Sequence, residues 1–380
     1  MGRLLVVTND FPPRPGGIQA FVHAVVTRLA SHGWQVHVYA PRWPGDTEFD
    51  RHQPFDVTRH PTSLMLPTPD VARRARALLR DLGADRVWFG AAAPLGFLAP
   101  LLRKAGATRI VASSHGHELA WLRFPGARQL FRGLARRVDV LTYISEYTRG
   151  RLAAAVGPEV RLERLAPGVD PKVFHPDVDG AELRARYGLD GRRVVVCISR
   201  LVPRKGQDSL LRSLPLVREK VPDVALLLVG EGPYRRRLER LAHALGLRDH
   251  VVFAGAVPWT ELPAHYRVGD VFAMPCRDRW FHLDVEGFGI VYLEAAASGL
   301  AVVAGTSGGA PEAVAPEGGV VVDGRDDARL AAVLSDLLTD RARAEEMGAS
   351  GRAWVVEHAT WDATAARLAA LLEGSARRTS

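Results

Sequence analysis

The stretch Arg193-Val-Val-Val-Cys-Ile-Ser-Arg-Leu-Val-Pro-Arg-Lys-Gly206 is highly informative about the fold. Its first part, Arg193–Ser199, is mostly apolar and β-branched, which predicts a buried strand, and a basic loop and a helix follow it. Short strands of this kind alternate with helices through the first half of the chain, and the pattern restarts here. Such alternation is typical of parallel sheets covered by helices on both faces. We therefore predict an α/β protein made of two doubly wound, Rossmann-like parallel-sheet domains.

Short apolar runs mark the predicted strands in both halves. Those of the first half are Leu4–Thr8, Trp34–Ala40, Val87–Gly90, Arg109–Ser113 and Val140–Ile144. Those of the second half are Arg193–Ser199, Val224–Gly230, Val251–Ala254, Val271–Met274 and Ala301–Ala304. Ligands of open parallel sheets bind beyond the carboxyl ends of the strands. We expect two sheets that face each other across a cleft, with the unusual residues at the strand ends around it.

The length of the chain predicts two domains, because 380 residues are too many for one ordinary core. Pro171, Pro176 and Gly180 cluster where the two halves join. We expect an N-terminal domain over residues 1–175 and a C-terminal domain over residues 176–361. The stretch from Asp326 to Glu373 is predicted to be mostly helical, and residues 362–380 are expected to form a helix that crosses back to the first domain.

The composition is that of a globular protein, with 47% hydrophobic and 24% charged residues. Cys197 and Cys276 lie in apolar, strand-like runs, so we expect small buried side chains in a reducing compartment rather than a disulfide. The sequence has no run near the ~18 apolar residues that would span a bilayer, and no signal peptide is recognised. We expect a cytoplasmic protein that can associate with the membrane from the inside.

The net charge of +8 is carried by one half of the chain. Residues 1–176 contain 24 Lys and Arg against 14 Asp and Glu, whereas residues 177–380 contain 26 against 28. A basic half of this kind suggests an anionic surface as partner, either lipid or nucleic acid. A GC-rich coding bias would also raise the arginine content, but it would raise it in both halves.

The segment Glu286-Gly-Phe-Gly-Ile-Val-Tyr-Leu-Glu294 predicts an anion site at the start of a helix. Gly287 and Gly289 allow a turn that exposes the first N–H groups of the helix, and these groups favour negative charge. The two glutamates, eight residues apart, point to similar sides of the helix and suit paired hydroxyl groups. With Arg200 and Lys205 as cations, the pattern fits a sugar diphosphate carried on a nucleoside.

The link between the first strand and the first helix, Asn9–Gln19, contains the pair Gly16-Gly17. Paired glycines allow the backbone to approach a phosphate at a helix start. An ordinary tight connection explains them equally well, and the pattern is not a dinucleotide-binding GxGxxG motif.

A polar cluster, Ser114-His-Gly-His-Glu118, follows another predicted strand. His115 could donate a hydrogen bond to a sugar hydroxyl, with Glu118 orienting the ring. A zinc site is the alternative, but a third ligand and the HExxH spacing are missing, so we predict no metal site. A structural histidine is common, yet a polar cluster at the end of a strand is more often a binding site.

The segment Ala127–Val138 predicts a basic amphipathic helix. Its apolar stripe is Leu130, Phe131, Leu134 and Val138, and its basic stripe is Arg128, Arg132, Arg136 and Arg137. One interpretation is a helix lying on an anionic bilayer surface, which gives Phe131 and the four arginines as candidate membrane contacts. The other is a helix packed on its own domain with a solvated arginine face.

Together these motifs resemble the retaining glycosyltransferases of family four, which have the two-Rossmann-domain GT-B fold. The resemblance covers nearly the full length, and the segments Val7–Gln19, Val87–Pro94, Ser114–Glu118, Leu141–Ser145, Ser199–Asp208 and Asp284–Glu294 carry it. These segments look most like the actinobacterial phosphatidylinositol mannosyltransferases that add a second mannose from GDP-mannose at the inner membrane face.

The resemblance implies a role for individual residues. Donor-site residues would be Gly16, Gly17, Arg200, Lys205, Gly230, Glu286, Phe288, Gly289, Ile290 and Glu294. Within this set, Arg200 and Lys205 would hold the diphosphate, Glu286 the hexose and Glu294 the ribose. His115 would lie near the transferred sugar, and the catalytic set would be His115, Glu286, Arg200 and Lys205. Asp10, Gln19 and His117 are candidates for the acceptor.

We therefore expect a metal-independent retaining α-mannosyltransferase that needs no cofactor and binds GDP-mannose, an anionic glycophospholipid acceptor and the inner membrane surface. Its N-terminal domain would face the acceptor and the membrane, and its C-terminal domain would bind the nucleotide sugar. The two domains are expected to close over the donor and exclude water. The segment Arg277–His282 is bulkier than expected for this family, and the resemblance places it at the border of the donor pocket, where it would influence the choice of donor.

Three alternatives stay open. The first is a family-four transferase that uses a UDP- or ADP-sugar or a soluble acceptor. The second is a GT-B epimerase, whose product would form without an acceptor. The third is a basic nucleic-acid-binding protein, against which the sequence lacks any RNA- or DNA-binding module, so we expect no nucleic-acid partner.

Overall fold

The computed structural model describes residues 2–280 and 284–374 of the chain. It consists of two compact units: unit 1 is Met1–Pro167 with Trp361–Ser380, and unit 2 is Gly168–Thr360. The chain thus passes from one unit to the other after residues 167 and 360. The domain boundaries expected from the sequence were 175 and 361. In both units apolar strands and amphipathic helices alternate, as the sequence pattern requires.

Unit 1 contains a seven-stranded sheet whose strand pairs are all parallel, in the order β3-β2-β1-β4-β5-β6-β7. The strands are β1 (Arg3–Val7), β2 (Gln35–Pro41), β3 (Asp56–His60), β4 (Arg86–Phe89), β5 (Arg109–Ser113), β6 (Val140–Tyr143) and β7 (Leu162–Arg164). The chain reverses its direction across the sheet between β1 and β4, so this pair marks the topological switch point.

The helices of unit 1 form a layer on each face of the sheet. They are α1 (Gly17–Ser31), α2 (Asp46–Arg51), α3 (Pro69–Asp81), α4 (Ala99–Lys104), α5 (Pro125–Ala135), α6 (Glu146–Val156) and, after unit 2, a last helix at Trp361–Glu373. Helices α3 to α6 bury apolar side chains against one face, in a core that includes Val7, Phe89, Leu134 and Leu152. Helix α1 packs against the last helix through Phe21 and Trp361.

Unit 2 contains a six-stranded sheet of parallel strand pairs in the order β10-β9-β8-β11-β12-β13. Its strands are β8 (Arg193–Ile198), β9 (Val224–Val229), β10 (Val251–Gly255), β11 (Val271–Met274), β12 (Ala301–Gly305) and β13 (Gly319–Val322). Its helices are α7 (Ala181–Arg186), α8 (Gln207–Lys220), α9 (Arg235–Ala244), α10 (Leu262–Val268), α11 (Ile290–Ala297), α12 (Asp327–Thr339) and α13 (Arg341–His358). The helix Trp361–Glu373 is accordingly α14.

The predicted fold class is confirmed, and each predicted strand is present to within one residue at either end. The sequence analysis missed β3, β7 and β13, each of which lies at the edge of its sheet. Edge strands are buried less completely and need no continuous apolar run. The predicted helical stretch Asp326–Glu373 forms α12, α13 and α14.

The two cysteines and the lengths of the helices bear on expectations from the sequence. Cys197 and Cys276 are buried free thiols, as expected. In the described part of the chain, no helix combines the length and the apolar character that a membrane crossing requires.

Candidate functional site

The loop after β8 gathers three cations in unit 2. Arg200, Arg204 and Lys205 all lie between β8 and α8. The Gln207 amide fixes the loop by donating to Ser199 Oγ at 2.9 Å and to the Arg200 carbonyl at 3.0 Å. The Arg200 side chain is exposed and has no partner among the residues that the structure describes. It is therefore a cation available to a ligand.

Lys205 and Glu286 form a buried ion pair. Lys205 Nζ lies 2.7 Å from Glu286 Oε2, and Arg204 Nε lies 3.6 Å from the same oxygen. Arg204 also pairs with Asp284 at 3.1 Å. Burial alone would raise the pKa of Glu286, but Lys205 and Arg204 outweigh it and hold that pKa below its ordinary value. The structure thus brings two predicted site residues into contact as an ionised pair.

Sequence reasoning did not single out Arg204 or Asp284. Their position beside Lys205 and Glu286 was the only signal in the sequence. An arginine in a short basic loop is usually expected to be solvated. The contact of Arg204 with Asp284, 80 positions away in the sequence, is seen only in the folded structure.

The start of α11 presents unpaired N–H groups, as predicted. Gly289 precedes the helix with a φ of 93°, and no side chain caps the helix. Within the described ranges, the backbone N–H groups of Phe288, Gly289 and Ile290 donate no hydrogen bond. A helix start with free donors and no acidic residue in its first turn is suited to bind an anion.

Gly230 has a structural reason to be glycine. It follows β9 with a φ of 128°, and a Cβ atom there would lie 2.1 Å from the Ser199 carbonyl oxygen. The close approach of the backbone after β9 to the basic loop after β8 therefore requires glycine. Contact of Gly230 with a donor stays a prediction.

Glu294 lies one turn into α11 and is buried. Its Oε2 accepts a hydrogen bond from the Tyr266 hydroxyl at 2.6 Å. Burial raises the pKa of Glu294 to about 7, although the hydrogen bond from Tyr266 opposes this. A carboxyl group with this pKa takes up or loses its proton near neutral pH.

The segment after β11 is tied to its surroundings. Arg277 donates two hydrogen bonds to the Asp208 carboxylate, at 2.7 and 2.8 Å, and both side chains are largely buried. Ser307 Oγ donates to Asp278 Oδ1 at 2.6 Å and accepts from the Glu286 N–H at 3.0 Å. This segment therefore links the first turn of α8 to Glu286. Its influence on donor choice stays a prediction, and residues 281 and 282 lie outside the described ranges.

In unit 1, the first βα loop leaves space beside Gly17. Gly16 and Gly17 are exposed, no side chain caps α1, and a Cβ atom on Gly17 would meet nothing within 4 Å. Asp10 accepts a hydrogen bond from the buried Gln19 amide at 2.9 Å, which fixes the loop to the helix. The predicted phosphate contact and the acceptor roles of Asp10 and Gln19 stay predictions.

His115 is buried against Phe21, with ring centroids 5.0 Å apart, and its Nε2 lies 2.7 Å from the Gly90 carbonyl oxygen. Because burial lowers its pKa, the ring is neutral near pH 7 and must carry its proton on Nε2 to make this bond. The expected donation to a sugar hydroxyl is therefore wrong for this tautomer. Nδ1 is an acceptor, so His115 can only accept a hydrogen bond from a hydroxyl.

Glu118 does not orient His115, contrary to the expectation. Glu118 is fully buried, and its Oε2 accepts from Ser114 Oγ at 3.1 Å and lies 3.6 Å from His117 Nδ1. The carboxylate therefore supports His117, which is partly exposed and stays a candidate for the acceptor. Within the described residues, no group of three or more His, Cys, Asp or Glu side chains is placed to hold a metal ion.

The predicted basic helix forms as α5, but its packing corrects one membrane contact. Phe131 is only 5% exposed and belongs to the core of unit 1, so it cannot meet a bilayer. Leu130, assigned to the same stripe, is 64% exposed. Arg128, Arg136 and Arg137 are all exposed, and the last two follow the final residue of α5. Arg136 and the half-buried Arg132 pair with Glu159, and Arg128 donates to the Ala154 carbonyl.

A second basic helix, α3, was missed as a candidate surface. Arg73, Arg74 and Arg80 are exposed on it. In the segment before α3, exposed and buried side chains alternate: Leu64 and Leu66 are about half exposed, and Met65 between them is fully buried. The signal in the sequence was the arginine-rich stretch Ala72–Leu82.

Two protein-family models match the chain. The model described as Glycosyltransferase Family 4 matches residues 15–173, and the one described as Glycosyl transferases group 1 matches residues 179–354.

Similar proteins are found over nearly the whole length. The chain is 54% identical over 377 residues to a Mycolicibacterium smegmatis protein named GDP-mannose-dependent alpha-(1-6)-phosphatidylinositol monomannoside mannosyltransferase, covering 98% of both chains. It is 44% identical to a Corynebacterium glutamicum protein whose name specifies the monoacylated form of that lipid, covering 99% of both. The structure of a sucrose-phosphate synthase from Thermosynechococcus elongatus matches with a TM-score of 0.81 at 23% identity, covering 98% of this chain and 99% of that one.

Proposed function

This chain belongs to glycosyltransferase family 4, with the GT-B fold, and we propose that it transfers mannose from GDP-mannose to a phosphatidylinositol monomannoside. The observation that carries the proposal is the site in unit 2, where the buried Glu286 carboxylate lies against two cations of the loop after β8. Glu286 also closely precedes the α11 start with its free N–H groups, and the same loop contains a third cation, Arg200. The names of the similar mycobacterial and corynebacterial proteins supply the donor and the acceptor.

The donor would be held by charge and by hydrogen bonds. Arg200 and Lys205 would neutralise the diphosphate, with the N–H groups of Phe288 and Ile290 completing its binding. Glu286 would accept hydrogen bonds from mannose hydroxyls. The ion pair with Lys205 holds Glu286 ionised, which suits it to accept rather than to donate.

Transfer with retention, which membership of this family implies, places the attack and the departure on the same face of the sugar. The acceptor hydroxyl oxygen forms a bond to the anomeric carbon while the bond from that carbon to the diphosphate oxygen breaks. The proton of the hydroxyl passes to the departing phosphate. Arg200 and Lys205 stabilise the negative charge that develops on the diphosphate.

The first experiment uses the purified protein, radiolabelled GDP-mannose and vesicles that contain phosphatidylinositol monomannoside, without added metal. We expect label in the lipid fraction, lost in Glu286→Ala and retained in Glu261→Ala, which removes an exposed carboxylate of unit 2. Transfer from UDP-glucose instead of GDP-mannose would contradict the donor. Release of free mannose without labelled lipid would contradict the acceptor.

We further propose that the protein acts at an anionic membrane surface through the helical layer of α3 and α5. Large exposed apolar side chains accompany both helices: Leu64 and Leu66 before α3, Trp121 and Phe124 before α5, and Leu130 on α5. Exposed arginines lie on the same helices. Apolar side chains combined with arginines fit the boundary between acyl chains and anionic headgroups.

The leucines before α3 are held in place. Asn9 binds the Met65 backbone twice, at 2.7 Å to its N–H and 2.9 Å to its carbonyl oxygen. With Met65 buried, Leu64 and Leu66 must point outward. Holding two apolar side chains in contact with water is energetically unfavourable, so this pair suggests a surface that binds an apolar partner.

Vesicle sedimentation tests this surface. We expect the protein to sediment with vesicles containing phosphatidylinositol and far less with neutral phosphatidylcholine vesicles. The double variant Leu64→Ser with Leu66→Ser should reduce binding about tenfold or more, whereas the control pair Leu216→Ser with Val356→Ser, which removes exposed apolar residues of unit 2, should not. Equal loss in both pairs would contradict the proposal.

A further inference from the structure

One contact beside the donor site is not used by the proposed mechanism. The Tyr266 hydroxyl on α10 donates a hydrogen bond of 2.6 Å to Glu294 Oε2 on α11. Both side chains are buried, Tyr266 completely. The Tyr266 ring is fixed between Phe174 and Phe272, with centroid separations of 5.6 and 5.7 Å. The hydroxyl is therefore presented to Glu294 from a rigid position.

The direction of this hydrogen bond follows from the chemistry. Burial and the neighbouring Glu294 raise the pKa of Tyr266 well above its ordinary value, so the hydroxyl keeps its proton and is the donor to the ionised Glu294 carboxylate. Cys197 also acts electrostatically on Tyr266 and is a buried neutral thiol.

One carboxylate oxygen of Glu294 is thus occupied and the other is not. Oε1 has no hydrogen-bond partner among the described residues, although it belongs to a buried side chain. A carboxylate that is held by one oxygen has a fixed plane, and its second oxygen points in a fixed direction. A carboxylate oxygen with free lone pairs can accept hydrogen bonds from both hydroxyl groups of a vicinal pair.

We propose that Tyr266 is a positioning residue, which holds the Glu294 carboxylate in the orientation that accepts hydrogen bonds from the ribose hydroxyls of the donor. This inference rests on the proposed function, since it takes a nucleoside diphosphate sugar as the donor. It adds that recognition of ribose depends on a side chain of α10 that does not itself touch the ligand.

The test compares two ligands that differ only in the ribose hydroxyls. Binding of GDP and of 2′,3′-dideoxy-GDP is measured by calorimetry for the unaltered protein and for Tyr266→Phe. We expect the variant to bind GDP about tenfold more weakly, as for the loss of a hydrogen bond to a charged group. Its affinity for the dideoxy ligand should stay within about twofold, because that ligand makes no contact with Glu294.

Two further variants separate positioning from packing. In Tyr292→Phe, another buried tyrosine loses its hydroxyl bond, to the Met274 carbonyl at 2.7 Å, so the variant controls for lost stability and should keep the ratio of the two affinities. In Glu294→Gln, the preference for GDP over the dideoxy ligand should fall. This result does not depend on whether Tyr266→Phe folds. The donor KM of Tyr266→Phe should rise while kcat changes less than about threefold.

The outcomes separate this inference from the proposed function. If Tyr266→Phe weakens both ligands equally, Tyr266 is structural and the inference is overturned. If the unaltered protein binds GDP and the dideoxy ligand equally well, Glu294 is not a ribose ligand, and the inference falls while nucleotide binding stands. If it binds neither ligand, the proposed function and the inference fall together.

Discussion

The two sheets follow the same strand order up to the sixth strand, yet the loop after the first strand differs in charge between them. In unit 1 this loop contains one acid, Asp10, bonded to Gln19, and one cation, Arg14, placed over the Trp43 ring. In unit 2 the corresponding loop contains Arg200, Arg204 and Lys205 and no acid.

Topology thus fixes the position of a loop, and composition fixes its chemistry. The first βα loop lies at the carboxyl edge of its sheet in both units, where ligands of such sheets bind. Only the loop of unit 2 has a cation without a partner in the described residues, Arg200, and only that loop pairs with a buried carboxylate, Glu286. Variants of the two loops and of their surroundings test this difference.

Removing the charge pair of unit 2 should have the largest effect. We expect Lys205→Met and Glu286→Gln each to lower kcat/KM by about 10⁴-fold, or about 5 kcal/mol, because each removes a group that the proposed mechanism assigns to donor binding. Each should also destabilise the protein, since the remaining charge is buried without its partner. Steady-state kinetics and urea unfolding measure the two effects.

The double variant separates stability from activity. Lys205→Met with Glu286→Gln leaves no isolated charge, so we expect stability to recover in part while activity stays lost. Lys220→Met, at an exposed lysine, is the matched control and should change neither. Recovery of activity in the double variant would mean that the pair is structural only.

The next effect concerns the anchor of the segment after β11. Arg277→Met should destabilise the protein by about 4 kcal/mol, because it leaves the buried Asp208 carboxylate without its two-pronged partner. Arg212→Met removes a more exposed arginine from the same carboxylate and should cost about 1 kcal/mol or less. Chemical unfolding of both variants measures the difference, and equal losses would contradict the role of Arg277.

Glu294 gives a prediction about pH. Its pKa of about 7 in the folded protein lies above its ordinary value of 4.5, so folding takes up a proton between these values. Stability should therefore fall as the pH rises from 4.5 to 7 and then level off. We expect Glu294→Gln to remove this slope and to be more stable at pH 8 by up to about 3 kcal/mol, while binding GDP more weakly.

Thermal unfolding at a series of pH values, with and without GDP, tests this trade-off. Glu261→Gln, at an exposed glutamate, should leave the pH slope unchanged. A variant at position 294 that keeps the slope would show that another group titrates.

The smallest effect is expected in the loop of unit 1. Asp10→Asn weakens one partly buried hydrogen bond from Gln19 and leaves no charge unpaired, so we expect a loss of about 1 kcal/mol by thermal unfolding. Asp56→Asn, at an exposed aspartate of β3, is the control. A loss as large as that of Lys205→Met would remove the contrast between the two loops.

The sequence predicted the central strands and the free helix start of unit 2 because both depend on local composition. A strand such as β8 is buried on both faces and therefore reads as a continuous apolar run. The edge strand β3 has the sequence Asp-Val-Thr-Arg-His and needs no continuous apolar run, so the sequence pattern did not predict it. The features of Glu286 were visible for a similar reason, since the glycines beside it mark a special turn.

Other properties of the site depend on contacts between distant parts of the chain. The tautomer of His115 is decided by the carbonyl of Gly90, and the burial of Phe131 by its rotation about α5. A stripe of apolar residues on a helix predicts that one side is buried. It does not decide which residue at the edge of the stripe, Leu130 or Phe131, is left outside.

The position of α14 has a consequence for biosynthesis. Unit 2 is one continuous segment, Gly168–Thr360, and contains every residue of its own sheet when it leaves the ribosome. Unit 1 cannot be completed until later, because α14, which packs against α1, is synthesised about 200 residues after β7, the last strand of unit 1. During synthesis, Phe21 and its apolar neighbours on α1 lack the cover of Trp361, so the growing chain carries an incomplete first unit while the second one folds.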